Sequence, residues 1–335
     1  MEIFARNTVH KDIPAVELSA GGYYAVVAPS MGSAVLRLRN EEKGVEVFRY
    51  SDDISIREIM CAPEIWGLPT LFLPNRFDGG TLRISDNVYK LPVNETRFGN
   101  HLHGFVHKRV YKVKDMGVTD SSAYVVNEYL YDENDYFYVC FPVKFRISIK
   151  IELSQMGLEH TVTIENLSDK MLPISLATHT TINAPFVDGG KQENITLQVP
   201  VVEKIIFDKK RWLPTDRRIS VRVTDKEYLY GTKCPVLHDI CNDMYSMGTI
   251  TLDGVPFRGT VMKDKASGIR ICNEVDEKYK FWIIWNDKGF KNYFCPEPMT
   301  AMVNAPNLDL PRELTGYEEL EPSGVYTARQ RFFVK

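Results

Sequence analysis

Histidine occurs seven times in these 335 residues, and His101, His103 and His107 all fall within "NHLHGFVHKR" (100–109). A fourth, His179, follows an apolar run in "LATHTTINAPF" (176–186), and Glu297 stands between two prolines in "NYFCPEPMTAMVNAPN" (292–307). Asn75 and Arg76 close an apolar run in "PTLFLPNRFDGG" (69–80). These are the residue types of proton transfer and oxygen recognition. Histidine titrates near pH 6.5 and so serves as acid or base at neutral pH. Prolines on both sides of a glutamate hold its carboxylate on a stiff segment, and arginine projects a rigid fork of donors toward hydroxyl or carboxylate oxygens. Each also has a commoner structural reading: a hydrogen-bonded interior histidine, a surface ion pair, a solvent-facing turn glutamate. His101 and His103, at i and i+2, share a face if they lie on a strand, which suits a metal, but no neighbouring residue supplies a third ligand. His107, beside Lys108 and Arg109, reads as scaffold.

The elements that must position these residues are strands. Period-2 and β-branched or aromatic runs recur, as in "GYYAVVA" (22–28), "AVLRLR" (34–39), "FRISIKIEL" (145–153), "EHTVTIEN" (159–166), "NITLQVP" (194–200) and "KFWIIW" (280–285). Gly, Pro, Asn and Asp punctuate them at short intervals, a pattern of a sandwich or barrel. Long amphipathic helical patterns are almost missing; short helical turns are expected near 56–61 and 297–303. The stretch 203–245 is more polar and irregular, and reads as loops and an insertion. No linker, repeat or low-complexity tract divides the chain, so one all-β antiparallel sandwich domain over residues 1–335 is expected.

Composition narrows the partners. Net charge is −3, with 41 basic and 44 acidic residues intermixed, and no basic stripe points to nucleic acid. No apolar run approaches the length of a membrane-spanning helix. Six scattered cysteines form no C-x-x-C pair, and the N-terminus has no secretory signal pattern, so free thiols and a cytoplasmic location are expected. The N-x-S/T triplets at Asn94, Asn166 and Asn194 are then chance matches.

Taken in order, "GLPTLFLPNRFDGG", "NHLHGFVHKR", "ATHTTINAPF" and "FCPEPMT" resemble the successive signatures of the aldose 1-epimerase (galactose mutarotase) family. "LPVNE" (91–95) and "LEHTVTIENLSDKMLPISLATH" (158–179) fit the intervening text, and the resemblance spans roughly residues 20 to 332. It implies the large mutarotase β-sandwich and interconversion of the α and β anomers of a free aldose by general acid/base ring opening. No cofactor or metal is needed, the partner is a small sugar, and the chain would be a monomer or homodimer.

By motif, the resemblance puts Glu297 at the base position, His179 at the acid position, and His103 near the ring oxygen and C1. Arg76, with Asn75 beside it, would bind sugar hydroxyls; His101 has no firm counterpart in the family and is placed in the same cleft by its shared strand face with His103. The family's hydroxyl-gripping aspartate falls in "HDICNDMYS" (238–246); Asp243 is the choice, with Asn242 and Asp239 as alternatives. Trp285 and Trp66 offer stacking surfaces or core. The sequence departs from the family after the second histidine ("HTTINAPF") and after the first ("HGFVH"). The implied sugar is therefore open among another aldose, a phosphorylated sugar, for which "HKR" (107–109) and "DKKRW" (208–212) would supply charge, and an oligosaccharide end. Two other readings remain: a sugar-binding or regulatory protein without turnover, and a different carbohydrate-active enzyme on the same scaffold.

Overall fold

The strand Phe145–Ser154 sets the pattern: Phe145, Ile147, Ile149, Ile151 and Leu153 are buried while Arg146, Ser148, Lys150 and Glu152 are half-exposed. Such alternation belongs to an antiparallel sheet with one face on the core. Its neighbour Gly157–Asn166 pairs with it from Phe145↔Asn166 to Ser154↔Gly157. The two sit in an eight-stranded sheet running from Lys112–Val118 to Ile195–Gln198. The computed structural model describes residues 2–85 and 87–335.

A second eight-stranded sheet carries Glu297. It contains Leu213–Ser220, Val201–Asp208, Asp243–Met247, Phe281–Trp285, Tyr293–Met299, Leu176–Thr178 and Thr70–Phe72 in spatial order, with Ile182–Asn183 also pairing to Tyr293–Met299. Its central strands are buried on both faces: all seven residues of Tyr293–Met299 and all three of Leu176–Thr178 are buried. One hydrophobic cluster runs from Val16 to Phe332 and joins this sheet, the first sheet and an N-terminal five-stranded sheet. A second, around Leu71, Met244, Phe281, Ile283 and Met299, covers the other face. The fold is an all-β, large antiparallel sandwich, and its α-helices are short, the longest among the described residues being Ile56–Cys61. No helix is long and apolar enough to cross a membrane among the described residues, and all six cysteines are free.

Helix Ile56–Cys61 lies where expected, started by a Ser55/Glu58 capping box. The helical turn expected at 297–303 is instead extended strand to Met299. Cys295 and Glu297 each precede a proline, which excludes them from the α region. Prolines are costly inside a sheet, and the ladder shows how these two are tolerated. Met299 C=O accepts from Lys280 N–H (2.9 Å) on one side, and Thr300 N–H donates to Leu176 C=O (2.9 Å) on the other. By alternation, the missing donors of Pro296 and Pro298 face the second side. There the pairing is interrupted between Ala177↔Met299 and Ile182↔Phe294. That gap is where His179 leaves the sheet.

The stretch 203–245 is also more regular than its sequence suggests. It supplies the hairpin Val201–Asp208/Leu213–Ser220, helices Val221–Thr224 and Lys226–Tyr230, and the start of Asp243–Met247. The hairpin is at the sheet edge and buries few positions, so its alternation is diluted by polar residues.

Candidate functional site

Glu297 lies opposite Ile283 in the central strand pair, on the same face as Cys295 and Trp285. Its side chain enters a cleft of about 410 Å³ bounded also by His179, His103, Arg76, Asn75, Asn242 and Trp285. His179 follows strand Leu176–Thr178, and its backbone N–H is tied to Pro69 C=O (3.1 Å). The His179 Nε2 is 3.4 Å from Glu297 Oε1. Both are buried, Glu297 3% and His179 5% exposed. The His179 ring meets Trp285 edge-on at 5.6 Å and His103 at 5.5 Å.

His103 is held by unusual backbone. Asn75 and His103 both adopt left-handed φ, 58° and 66°, and they bond reciprocally: His103 N–H donates to Asn75 C=O (2.8 Å) and Asn75 N–H to His103 Nδ1 (3.3 Å). Since Nδ1 accepts, neutral His103 carries its proton on Nε2 and is a donor there. Gly104 follows at φ 61°, and a Cβ on it would lie 2.1 Å from Phe72 C=O, so this position admits no side chain. Non-glycine left-handed backbone at a cleft is strain held by surrounding structure. It explains the "HG" pair in physical terms.

Arg76 is fixed as a fork. Its Nε and Nη2 donate to both Glu95 oxygens (2.7–3.1 Å), and Nη1 reaches Asn75 Oδ1 (3.4 Å). The side chains of the pair are 8% and 13% exposed. Burial of this kind sets the acid/base character of the cleft. Burial pushes the Glu297 carboxyl well above the usual range, with the Arg76 charge pulling it partly back. Burial lowers His179 to about 4 and His103 well below its ordinary value, the latter helped by His179. Each shift disfavours charge, so burial favours a protonated Glu297 carboxyl 3.4 Å from a neutral His179 ring.

Several expected site residues lie elsewhere. His101 is in strand Asn100–Leu102 and wholly buried, with Nδ1 on Pro92 C=O (2.7 Å) and its ring against Phe137. The left-handed His103 ends that strand, so the two rings do not share a face, and His101 does not reach the cleft. Replacement by leucine (His101→Leu) removes one buried hydrogen bond. It is expected to cost about 1–3 kcal/mol of unfolding free energy, read by urea denaturation, with sugar binding unchanged. Asp243 likewise turns away: it pairs with Lys204 (2.9 Å) and Tyr245 OH (3.4 Å) in a neighbouring hollow. From "HDICNDMYS" it is Asn242, left-handed at φ 50°, that borders the cleft. Trp66 packs beneath Arg49, whose guanidinium is 3.7 Å from its ring, in a separate cluster.

The sequence reading missed Glu64 and Asn94, both on the cleft wall. Burial alone would push the Glu64 carboxyl up, but hydrogen bonds from His107 (2.9 Å) and Lys108 (2.6 Å) hold it well below the carboxylate range. Glu64 lies on a single 3-10 turn, Pro63–Ile65, and no motif marks it. Asn94, in "LPVNE", cradles the Leu102 peptide with both amide atoms (2.6 and 2.9 Å). His107 is scaffold, as read. The one His/Cys/carboxylate grouping among the described residues is His179, Cys295 and Glu297, with donor atoms within 4.8 Å. Burial raises the Cys295 thiol well above its ordinary value, and it is bonded to Thr181 Oγ1 (3.5 Å), so it is a poor thiolate ligand. His101 and His103 belong to no such cluster.

An all-β sandwich thus holds a buried Glu/His pair and an arginine fork in one cleft, and comparison with known proteins gives its family. The sequence model of the aldose 1-epimerase family matches residues 14–332. A galactose mutarotase-like protein from Clostridium acetobutylicum superposes with a TM-score of 0.96 at 30% identity, covering 100% of this chain and 99% of that one. The chromosomal LacX protein of Lactococcus lactis subsp. lactis is 22% identical over 290 residues, 84% of this chain and 86% of its own length. Galactose 1-epimerase from Lactobacillus acidophilus NCFM shares the fold at TM-score 0.74 and 13% identity, over 100% and 99% of the two chains. The chain belongs to the aldose 1-epimerase family.

Proposed function

We propose that the protein is an isomerase that interconverts the α and β anomers of an uncharged aldose, with Glu297 as base and His179 as acid. The observation that carries this is the buried contact between His179 Nε2 and Glu297 Oε1 at 3.4 Å. Ring opening needs one proton removed from the C1 hydroxyl and one delivered to the ring oxygen. Both oxygens are bonded to C1, so an acid and a base side by side reach them together. Glu297 takes the hydroxyl proton as C1=O forms; the C1–O5 bond breaks, and His179 protonates O5. Rotation about C1–C2 presents the other carbonyl face. On closure O5 attacks C1 and returns its proton to His179, while Glu297 reprotonates O1. His103 Nε2–H donates toward the oxygens at C1, and Arg76, Asn75 and Asn242 hold the remaining hydroxyls.

A neutral sugar is favoured over a phosphosugar because three of the basic residues that would greet a phosphate are already paired, while Lys209 lines the adjoining hollow. Lys108 is on Glu64 (2.6 Å), Arg109 on Asp135 (2.5 Å), and Arg211 on Asp78. Polarimetry of freshly dissolved α-aldoses tests the proposal: acceleration over buffer is expected for at least one, whereas tight binding without acceleration identifies a binding protein.

The pH profile follows from the pair. The active form carries one proton between Glu297 and His179. Below about pH 4, the lowered value of His179, a second proton is added and the base is lost. Above the raised value of Glu297, the last proton leaves and the acid is lost. kcat/KM is therefore expected to stay flat through pH 5–6 and fall near pH 4. An acid limb near 6.5, the ordinary histidine value, would contradict the shared-proton account.

A further inference from the structure

We propose that the cleft continues into a second sugar subsite built on Trp212, making the reducing end of a disaccharide or longer glycan the preferred aldose. This rests on the epimerase reading for the first ring. A hollow of about 320 Å³ adjoins the cleft, and Asn242 borders both. Trp212 and Phe207 line the hollow, together with Lys204, Lys209, Asp239 and Asp243.

Trp212 ends the loop between strands Val201–Asp208 and Leu213–Ser220, with its N–H on Asp208 C=O (2.7 Å). It has φ 54°, a conformation that glycine or asparagine normally fills and that is an outlier for a bulky aromatic residue. Such strain persists where surrounding structure holds it, and here the hairpin is pinned to the strands that carry Arg76. Arg211 is paired with Asp78 and reaches Gly99 C=O (3.4 Å), and the buried Asn100 amide donates to Arg211 C=O (2.7 Å). Phe98 bridges the two regions, with Trp212 edge-on at 6.2 Å and the Arg76 guanidinium 5.8 Å from its ring.

The chemistry of the hollow suits a pyranose. An indole offers an apolar face to sugar C–H groups and keeps a polar edge. Two lysines and two aspartates balance in charge, with Lys204 and Asp243 already paired at 2.9 Å. The rim thus presents both donors and acceptors, as hydroxyls need, and its aspartates oppose a phosphate.

The test is calorimetric titration of the wild type and Trp212→Gly with glucose, galactose, maltose, cellobiose, lactose and melibiose, with anomer exchange read by NMR on the same samples. Glycine accepts the φ 54° backbone, and Trp212→Phe retains a ring if the loop needs one. At least one disaccharide is expected to bind the wild type roughly 10-fold tighter than glucose, the reducing-end sugar of all four. Trp212→Gly is expected to erase that advantage and leave the monosaccharides unchanged. Equal affinity for mono- and disaccharides, or equal weakening of both by Trp212→Gly, overturns the subsite. A disaccharide preference without exchange supports the subsite and removes the epimerase reading. Exchange without the preference removes the subsite alone.

Discussion

Glu297→Gln is expected to lower kcat/KM for anomer exchange by about 10²–10⁴-fold, the contribution of a positioned general base, with KM and unfolding midpoint nearly unchanged. Stability is spared because burial already favours the uncharged carboxyl, and the amide replaces it with a neutral group of the same shape. The contact to His179 Nε2 at 3.4 Å also survives, since the amide offers both donor and acceptor. His179→Asn should cause a loss of similar size. The double variant should be little worse than either single, because paired groups act as a unit. The readouts are polarimetric rate and thermal unfolding on the same preparations. Exchange surviving in Glu297→Gln would place the base elsewhere.

The second large effect concerns Arg76. Replacement by methionine (Arg76→Met) leaves Glu95, whose side chain is 13% exposed, as an uncompensated buried carboxylate. Removing one partner of such a pair typically costs about 3–5 kcal/mol, whereas replacing both is much milder. Arg76→Met is therefore expected to lose stability on that scale in urea unfolding, and Arg76→Met/Glu95→Gln to recover most of it. Sugar binding should recover in neither, since the donor fork is gone from both. A further consequence has a definite sign. Arg76 pulls the Glu297 value down, so removing its charge raises that value further, and the alkaline limb of the pH profile should move to higher pH. Equal stability of the single and double variants would mean the pair is solvated like a surface bridge.

The β-architecture was legible because period-2 burial in segments such as Phe145–Ser154 is a direct trace of a half-buried sheet. Glu297, His179, His103, Arg76 and Asn75 were legible as motifs, and the fold brings all five to one cleft. What escaped depended on backbone conformation. Nothing in "NHLHG" announces that His103 is left-handed at φ 66°, so the i, i+2 spacing implies a shared face although His101 is core. The same holds for Asn242 and Asp243, where one left-handed residue at φ 50° decides which of two neighbours borders the cleft. Glu64 was invisible because its partners, His107 and Lys108, are 43 and 44 residues away in the chain (107 − 64 and 108 − 64). The helical turn expected at 297–303 is strand as far as Met299, and the sequence does not show this because the tolerance of Pro296 and Pro298 in a sheet depends on a gap in the neighbouring ladder.

The central claim, that Glu297 and His179 act as base and acid on one hemiacetal, is tested most directly by a crystal structure of Glu297→Gln with a bound aldose. The account predicts one sugar ring in the cleft, its C1 hydroxyl within hydrogen-bond reach of residue 297, its ring oxygen within reach of His179 Nε2, and Arg76 on a more distant hydroxyl. A ring bound with C1 directed away from both residues, or seated outside this cleft, would contradict it.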